Sequence, residues 1–260
     1  MKKNIALVFA AFLLASSLSG CGSKLPDNTV HSKSDLEGKT IGTQSGTTGN
    51  IFASDISGAS VKEYHKGADA INALKEGEVD AVIIDEEPAK ALTADDKELQ
   101  ILTDPFAVEE YSIAYNKDNK EFGKKLDEAI KKLKDDGTID KIKSHWIGDS
   151  ADNKPYQDKN DDVSEGKLIM ATNAEFPPYE FFIDGVIYGI DVDIMNAVCD
   201  ELNMELFIDN MGFDSILEAV SSGKADVGAA GISMTPERAE IVGFTQGYAL
   251  STQVIITRKD

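Results

Sequence analysis

Two stretches of this chain share one layout, and that echo limits the folds open to it. In the first, Lys39-Thr-Ile-Gly-Thr reads as a short strand before a Gly-rich turn. Residues 68–85 (ADAINALKEGEVDAVIID) then read as an amphipathic helix, a stop at Gly77 and an apolar strand. In the second, Lys167-Leu-Ile-Met-Ala-Thr is the strand, and residues 213–231 (FDSILEAVSSGKADVGAAG) repeat helix, stop at Gly223 and buried strand. A strand–loop–helix–strand unit brings its strands together in parallel, with helices on the sheet faces. Such sheets bind ligands beyond the carboxyl ends of their strands, so two units facing each other form a cleft. A chain of 260 residues is long enough for two bodies of about 100–150 residues each.

Residues 148–165 (GDSADNKPYQDKNDDVSE) separate the two stretches, with few apolar positions and no periodicity, and are expected to be an exposed linker. Residues 120–143 are strongly helical, with Leu126, Ile130 and Leu133 on one stripe and a stop at Gly137. A second short helix is expected to reach Trp146, a packing residue, and the lysines here form a solvated face.

The first residues have the layout of an export signal: Lys2 and Lys3, an apolar run over 5–15 too short to span a bilayer, then small residues up to Cys21. Leu18-Ser-Gly-Cys21 resembles the lipobox of bacterial lipoproteins, which implies acylation of Cys21; ordinary cleavage beside an incidental cysteine is the alternative. The other cysteine, Cys199, falls in an apolar helical pattern and is expected to be buried. One thiol and the scattered His31, His65 and His145 give no metal-ligand spacing, and no cofactor is expected. A net charge of −20 argues against nucleic acid and against electrostatic adhesion to anionic lipid, leaving an acyl chain as the membrane anchor.

Five segments together resemble the extracellular solute-binding proteins of polar amino-acid ABC transporters, the family 3 group with glutamine-, histidine- and arginine-binding members. They are Ala171-Thr-Asn-Ala-Glu-Phe-Pro-Pro-Tyr, Gly189-Ile-Asp-Val-Asp-Ile, Ala230-Gly-Ile-Ser-Met-Thr-Pro-Glu-Arg, Ser45-Gly-Thr-Thr-Gly and Val79-Asp-Ala-Val-Ile-Ile-Asp. The order differs from the family's: the segment like 168–260 comes first there, and the segment like 28–148 follows. The resemblance therefore implies an α/β, two-lobed periplasmic-binding-protein-like fold (type II), circularly permuted. Expected boundaries are a signal peptide 1–20, a lipid-anchored tether 21–27, lobe A from 28–110 plus 251–260, lobe B from 111–147 plus 166–250, and the linker 148–165 bridging the family's usual termini. The chain should cross between lobes near 109–112 and 248–251. A flexible 18-residue linker spans roughly 20–25 Å, enough for such a bridge. A monomer is expected, with an exchange of the last strand between two chains as the alternative.

An amino acid presents a carboxylate, an ammonium and a side chain. Arg238 lies in the first turn of a helix opened by Thr235 as N-cap and Pro236 at the first position. Its guanidinium fits a carboxylate through two hydrogen bonds, and the resemblance makes it the carboxylate clamp, beside Gly231 and Ser233. A surface pairing with Glu237 or Glu240 is the alternative. Ser45-Gly-Thr-Thr-Gly stands between a strand and a helix, where exposed amides favour anions. The resemblance has Thr48 donate to the ligand carboxylate and Gln44 and Ser45 line the cleft; a plain capped turn is the alternative. Asp85 ends an apolar strand, and the resemblance pairs it with the ammonium; a helix N-cap before Glu86 is the alternative. Phe176 and Phe213 match the aromatic wall and Asn173 a position that reads the side chain; Tyr179, Phe181 and Phe182 are expected in the core. The implied function is amino-acid capture by hinge closure and delivery to an ABC permease. The competing readings are a dehydratase-like enzyme on the same fold, with Glu175 or Glu86 as its acid, and a ligand-sensing domain.

Overall fold

The computed structural model describes residues 25–157 and 163–260. The signal segment, Cys21 and part of the linker lie outside the described residues.

The first echoed unit supplies β1 (Thr40–Gln44), α1 (Thr48–Ser54), β2 (Ser60–Tyr64), α2 (Gly67–Lys75), β3 (Ala81–Asp85), α3 (Glu86–Thr93), β4 (Leu99–Ile101) and β5 (Ala107–Tyr111). β1 lies parallel to β2 and β3, as the strand–helix–strand pattern requires. β3 is buried at every position, which matches a strand covered by helices on both faces. α2 buries Ala70, Ile71 and Leu74 at helical spacing against this sheet.

The chain then contributes β6 (Ala114–Tyr115), α4 (Lys120–Asp135), α5 (Thr138–Trp146) and β7 (Lys167–Thr172). β8 (Glu175–Phe176), β9 (Glu180–Ile183) and β10 (Val186–Tyr188) form a small antiparallel sheet. α6 (Ile190–Leu202), β11 (Glu205–Asn210), α7 (Ile216–Ser221), β12 (Val227–Gly228), α8 (Pro236–Ile241), β13 (Gly243–Phe244) and β14 (Ala249–Arg258) complete it. The stripe of Leu126, Ile130 and Leu133 on α4 is buried, and α4 packs on α6. Gly137, with φ of 80°, separates α4 from α5 in the left-handed conformation that a residue without Cβ adopts freely.

Two larger sheets result, six strands ordered β2-β1-β3-β14-β4 with β5 on β14, and five ordered β11-β7-β12-β6-β13. Both are mixed, where the sequence pattern alone implied parallel strands. β14 runs antiparallel to β3, β4 and β5, and β6 antiparallel to β12 and β13. The cause is connectivity: β5–β6 and β13–β14 carry the chain from one sheet to the other, so the strands they deliver enter from the opposite end. The two passages run side by side, Ala249 facing Tyr111 and Ser251 facing Glu109. β14 is long because its first half pairs with β5 and its second with β3 and β4.

Trp146 is buried, its indole N–H donating to Asp193 at 2.7 Å, and Cys199 is buried in α6. Phe182 departs from expectation. It is 48% exposed, because successive residues of a strand point to opposite faces and Phe181 takes the inward one against Trp146. The described part of the linker is not a bare tether: Tyr156 packs on the core and donates to Asp200 at 2.8 Å.

Candidate functional site

The carboxyl ends of four parallel strands converge on one cavity. β1 ends at Gln44, β3 at Asp85, β7 just before Asn173, and β12 just before Ala230 and Gly231. These residues, with Thr47, Thr48, Phe176, Phe213 and Arg238, line a narrow space of about 300 Å³ between the two sheets. Eight of the ten expected site residues meet here. Ser45 and Ser233 do not line it: Ser45 donates to Glu63 at 2.9 Å, and Ser233 contributes its carbonyl to Arg238.

Arg238 is held as the local sequence dictates. Thr235 caps α8 by accepting the Arg238 N–H at 3.2 Å, and Pro236 follows in the first turn. The side chain turns inward and is 7% exposed. Nη1 donates to the Ser233 carbonyl at 2.7 Å and Nη2 to the Gly46 carbonyl at 2.9 Å, which belongs to the loop of the other sheet. The guanidinium stands 5.5 Å from the Phe213 ring centre. Burial lowers its pKa, with Glu109 and Asp85 opposing. Among the described residues its hydrogen bonds go to carbonyls and not to Glu237 or Glu240. A buried guanidinium without a carboxylate at contact is short of its usual counter-ion.

Asp85 stands on the opposite wall and is 6% exposed. It occupies the N-cap position of α3, yet its carboxylate makes no cap hydrogen bond. Oδ1 instead accepts from the Tyr111 hydroxyl and, at 2.7 Å, from the Ser251 hydroxyl. These donors sit on β5 and β14, the strands that carry the chain between the sheets. Burial pushes the Asp85 carboxyl up to about 6, against the lowering effect of those hydroxyls. It is thus a buried acid with no ion pair among the described residues.

Between the walls, Gln44 donates to Asn173 Oδ1 at 2.9 Å, and Lys66 pairs with Glu175 at 2.7 Å at the mouth. Thr48 gives its hydroxyl to Glu109 Oε2 at 2.9 Å, with Gln253 donating to the same oxygen at 2.8 Å. The expected donation from Thr48 to a ligand requires it to turn from Glu109. Gly231 adopts φ of 56°, and a Cβ there would meet the Phe176 ring at 2.7 Å, so only glycine fits beside the aromatic wall. Neither acid considered for an enzyme is free: Glu175 pairs with Lys66 and Glu86 with Lys90.

Sequence reasoning missed the supporting residues Tyr111, Ser251, Glu109 and Gln253. The sequence signal available for them was position alone, on or beside the expected crossings. It also missed Asp191, whose carboxylate accepts the Gly231 N–H at 2.8 Å and the Tyr248 hydroxyl at 2.7 Å.

The family profile described as bacterial extracellular solute-binding proteins, family 3, matches residues 60–149 and 168–260. The arginine-binding extracellular protein ArtP of Bacillus subtilis (strain 168) is 33% identical over 94 residues, 36% of this chain and 37% of the relative. A probable histidine-binding protein of Neisseria gonorrhoeae is 34% identical over 99 residues, 37% of each chain. The glutamine-binding protein GlnH of Bacillus subtilis (strain 168) is 31% identical over 109 residues, 42% of this chain and 40% of the relative. Among solved structures, the arginine-bound form of domain 1 from TmArgBP is 34% identical, with a TM-score of 0.32, covering 37% of this chain and 82% of that one. The alignments span about two fifths or less of the length of these curated relatives. The two stretches matched by the profile together exceed half of the sequence, and the chain belongs to the bacterial extracellular solute-binding proteins, family 3.

Proposed function

We propose that this chain binds a free amino acid between its two lobes and presents the closed complex to an ABC importer. The observation that carries this reading is the pair of buried, opposite, counter-ion-poor charges: Arg238 on one wall and Asp85 on the other. An α-amino acid supplies a carboxylate for the first and an ammonium for the second. Phe176 and Phe213 flank the side chain, Gly231 offers backbone, and Gln44, Thr48 and Asn173 offer polar groups to read it. Three contacts already bridge the walls, Arg238 to Gly46, Gln44 to Asn173 and Lys66 to Glu175, so a ligand touching both sides favours this closed arrangement.

The lobes run over 28–110 plus 251–260 and 111–147 plus 166–250, joined through the strand pairs at Tyr111 and Ala249. The family's halves stand in exchanged order, with 148–165 bridging the former termini. In support, residues 25–28 and 258–260 line one hollow and so lie close enough to be joined. Cys21 carries the lipid that holds the protein, as a monomer, at the outer face of the cell membrane.

The test is a thermal-shift screen of the common amino acids, with L-arginine, L-histidine and L-glutamine first, on wild type and Arg238→Ala. A rise in Tm confined to wild type supports the reading. No rise with any amino acid, or an equal rise in the variant, sinks it. A second chain that joins Asp260 to Asn28 and opens within the linker should keep the same ligand and affinity; loss of binding in a folded product refutes the exchanged order.

A further inference from the structure

Two carboxyl groups lie directly behind the cleft, and among the described residues no cation pairs with either. Glu180 and Asp191 are both 0% exposed. The backbone brings residues 179–180 beside 191, since the Asp191 N–H donates to the Tyr179 carbonyl at 3.0 Å, and the two carboxyl groups lie within hydrogen-bonding reach of each other. The fit is tight: a Cβ on the intervening Gly189 would stand 2.2 Å from that carbonyl oxygen. Asp191 has its donors in Gly231 N–H and Tyr248 O–H. Neither oxygen of Glu180 receives a hydrogen from any described residue. The charged groups acting on Glu180 are Asp191 and Asp85, both acidic; around Asp191 stand Glu180 and Tyr248. Tyr179, beside Glu180, feels the same acids. On the α5 side, the nearby Asp193 takes the Trp146 indole N–H.

Two ionised carboxylates are acceptors only and cannot bond to each other. Two buried like charges without a cation do not both persist. One proton between them removes both difficulties, because a neutral carboxyl donates to an ionised one through a strong charge-assisted bond. Position decides which keeps it. Asp191 is in the first turn of α6, where the helix dipole favours negative charge, and it already accepts an amide and a hydroxyl. Burial raises Glu180 well above the usual carboxylate range, with the nearby Asp191 charge adding to the effect.

We propose that Glu180 is a neutral positioning residue that donates its proton to Asp191, and that the single charge they share fixes the Gly231 amide in the cleft and Tyr248 at the interlobe crossing. Glu180 pairs with Phe176 across β8 and β9, so the acid pair braces the aromatic wall as well. The binding consequence rests on the amino-acid reading of the cleft; the protonation does not.

Infrared spectroscopy of the ligand-free protein near neutral pH tests the proton directly. Wild type should show one protonated-carboxyl C=O band that Glu180→Gln removes and Asp85→Asn keeps. A wild type without the band, or a band unaffected by Glu180→Gln, overturns the proposal whatever the ligand proves to be. In calorimetry with L-arginine, L-histidine or L-glutamine, whichever binds wild type, Glu180→Gln keeps a donor toward Asp191 and should hold affinity within about threefold. Glu180→Leu removes the donor and should weaken binding about tenfold or more. Equal affinity in the two variants overturns the positioning role. Should Glu180→Leu fail to fold, the infrared comparison and the Gln variant's affinity decide: weakening beyond tenfold in Glu180→Gln refutes the role of the proton.

Discussion

Asp85 and Asp191 are both buried and share the same upward displacement, to about 6, but keep different company. Asp191 spends its oxygens on the protein, taking an amide from Gly231 and a hydroxyl from Tyr248 behind the cleft wall. Asp85 takes two hydroxyls on one oxygen and faces the cavity across from Arg238. One acid is satisfied by the fold; on the proposed function, the other awaits the ammonium of a bound amino acid. If Asp85 binds the ligand, the fold separates a binding charge from a structural charge at almost one depth. It also makes the two residues separable by experiment.

The largest expected effect is on binding. Arg238→Ala and Asp85→Asn each leave one ligand charge buried without its partner, at roughly 2–5 kcal/mol, or about 30-fold to several-thousand-fold in Kd. Calorimetry with the amino acid found by screening measures this. Affinity within threefold of wild type for Asp85→Asn would remove the ammonium contact and dissolve the contrast with Asp191.

Stability should reverse the ranking. Asp191→Ala strands the Tyr248 hydroxyl and the Gly231 amide and should cost about 2–4 kcal/mol in urea unfolding. Asp85→Asn relieves a buried charge that is short of a cation, so the ligand-free protein should gain about 1–3 kcal/mol. Equal destabilisation by both changes would mean that Asp85 too is a structural acid.

Acid titration sharpens the same contrast. Both carboxyls are raised from an unfolded value of about 3.9 to about 6, so the folded state holds more protons across that window. Their contribution to ligand-free stability is therefore fully present below about pH 4. It is lost as pH rises through about 6 and is level above. If Asp85 takes the ligand ammonium, amino-acid affinity needs it ionised and should rise over the same interval. Unfolding and calorimetry at about pH 5 and about pH 7.5 should move in opposite directions, and Asp85→Asn should remove its share of the stability slope.

How far the sequence reached follows from the range of the forces involved. Local periodicity revealed the strand–helix–strand units, the α4 stripe and the Thr235–Pro236 cap, because each depends on neighbours within a turn or two. Strand-end position pointed to Asp85, since parallel sheets direct their carboxyl ends to one side, whereas Gln44 and Gly231 came from the resemblance to the family's motifs. Antiparallel β14, the outward turn of Phe182 and the Glu109 carboxylate taking the Thr48 hydroxyl depend on segments far apart in the chain. Asp191 sat in a quoted motif, Gly189-Ile-Asp-Val-Asp-Ile, yet nothing local tells a helix N-terminal acid that faces solvent from one that turns inward to a glycine 40 residues away.

The smallest effect is expected at the mouth of the cleft. Lys66 and Glu175 join the lobes at 2.7 Å, but both side chains are partly exposed, so water and salt screen the pair. Glu175→Gln should weaken amino-acid binding by less than about 1 kcal/mol, and the difference from wild type should shrink as salt is raised. Gln44 and Asn173 meet deeper, where both are buried. Asn173→Ala leaves the Gln44 amide short of one acceptor there and should cost more than Glu175→Gln, about 1–3 kcal/mol, with little salt dependence. If salt altered both variants alike, the Gln44–Asn173 contact would be open to solvent in the binding-competent form, and the closed arrangement would owe its hold to Arg238 and the ligand rather than to the buried bridge.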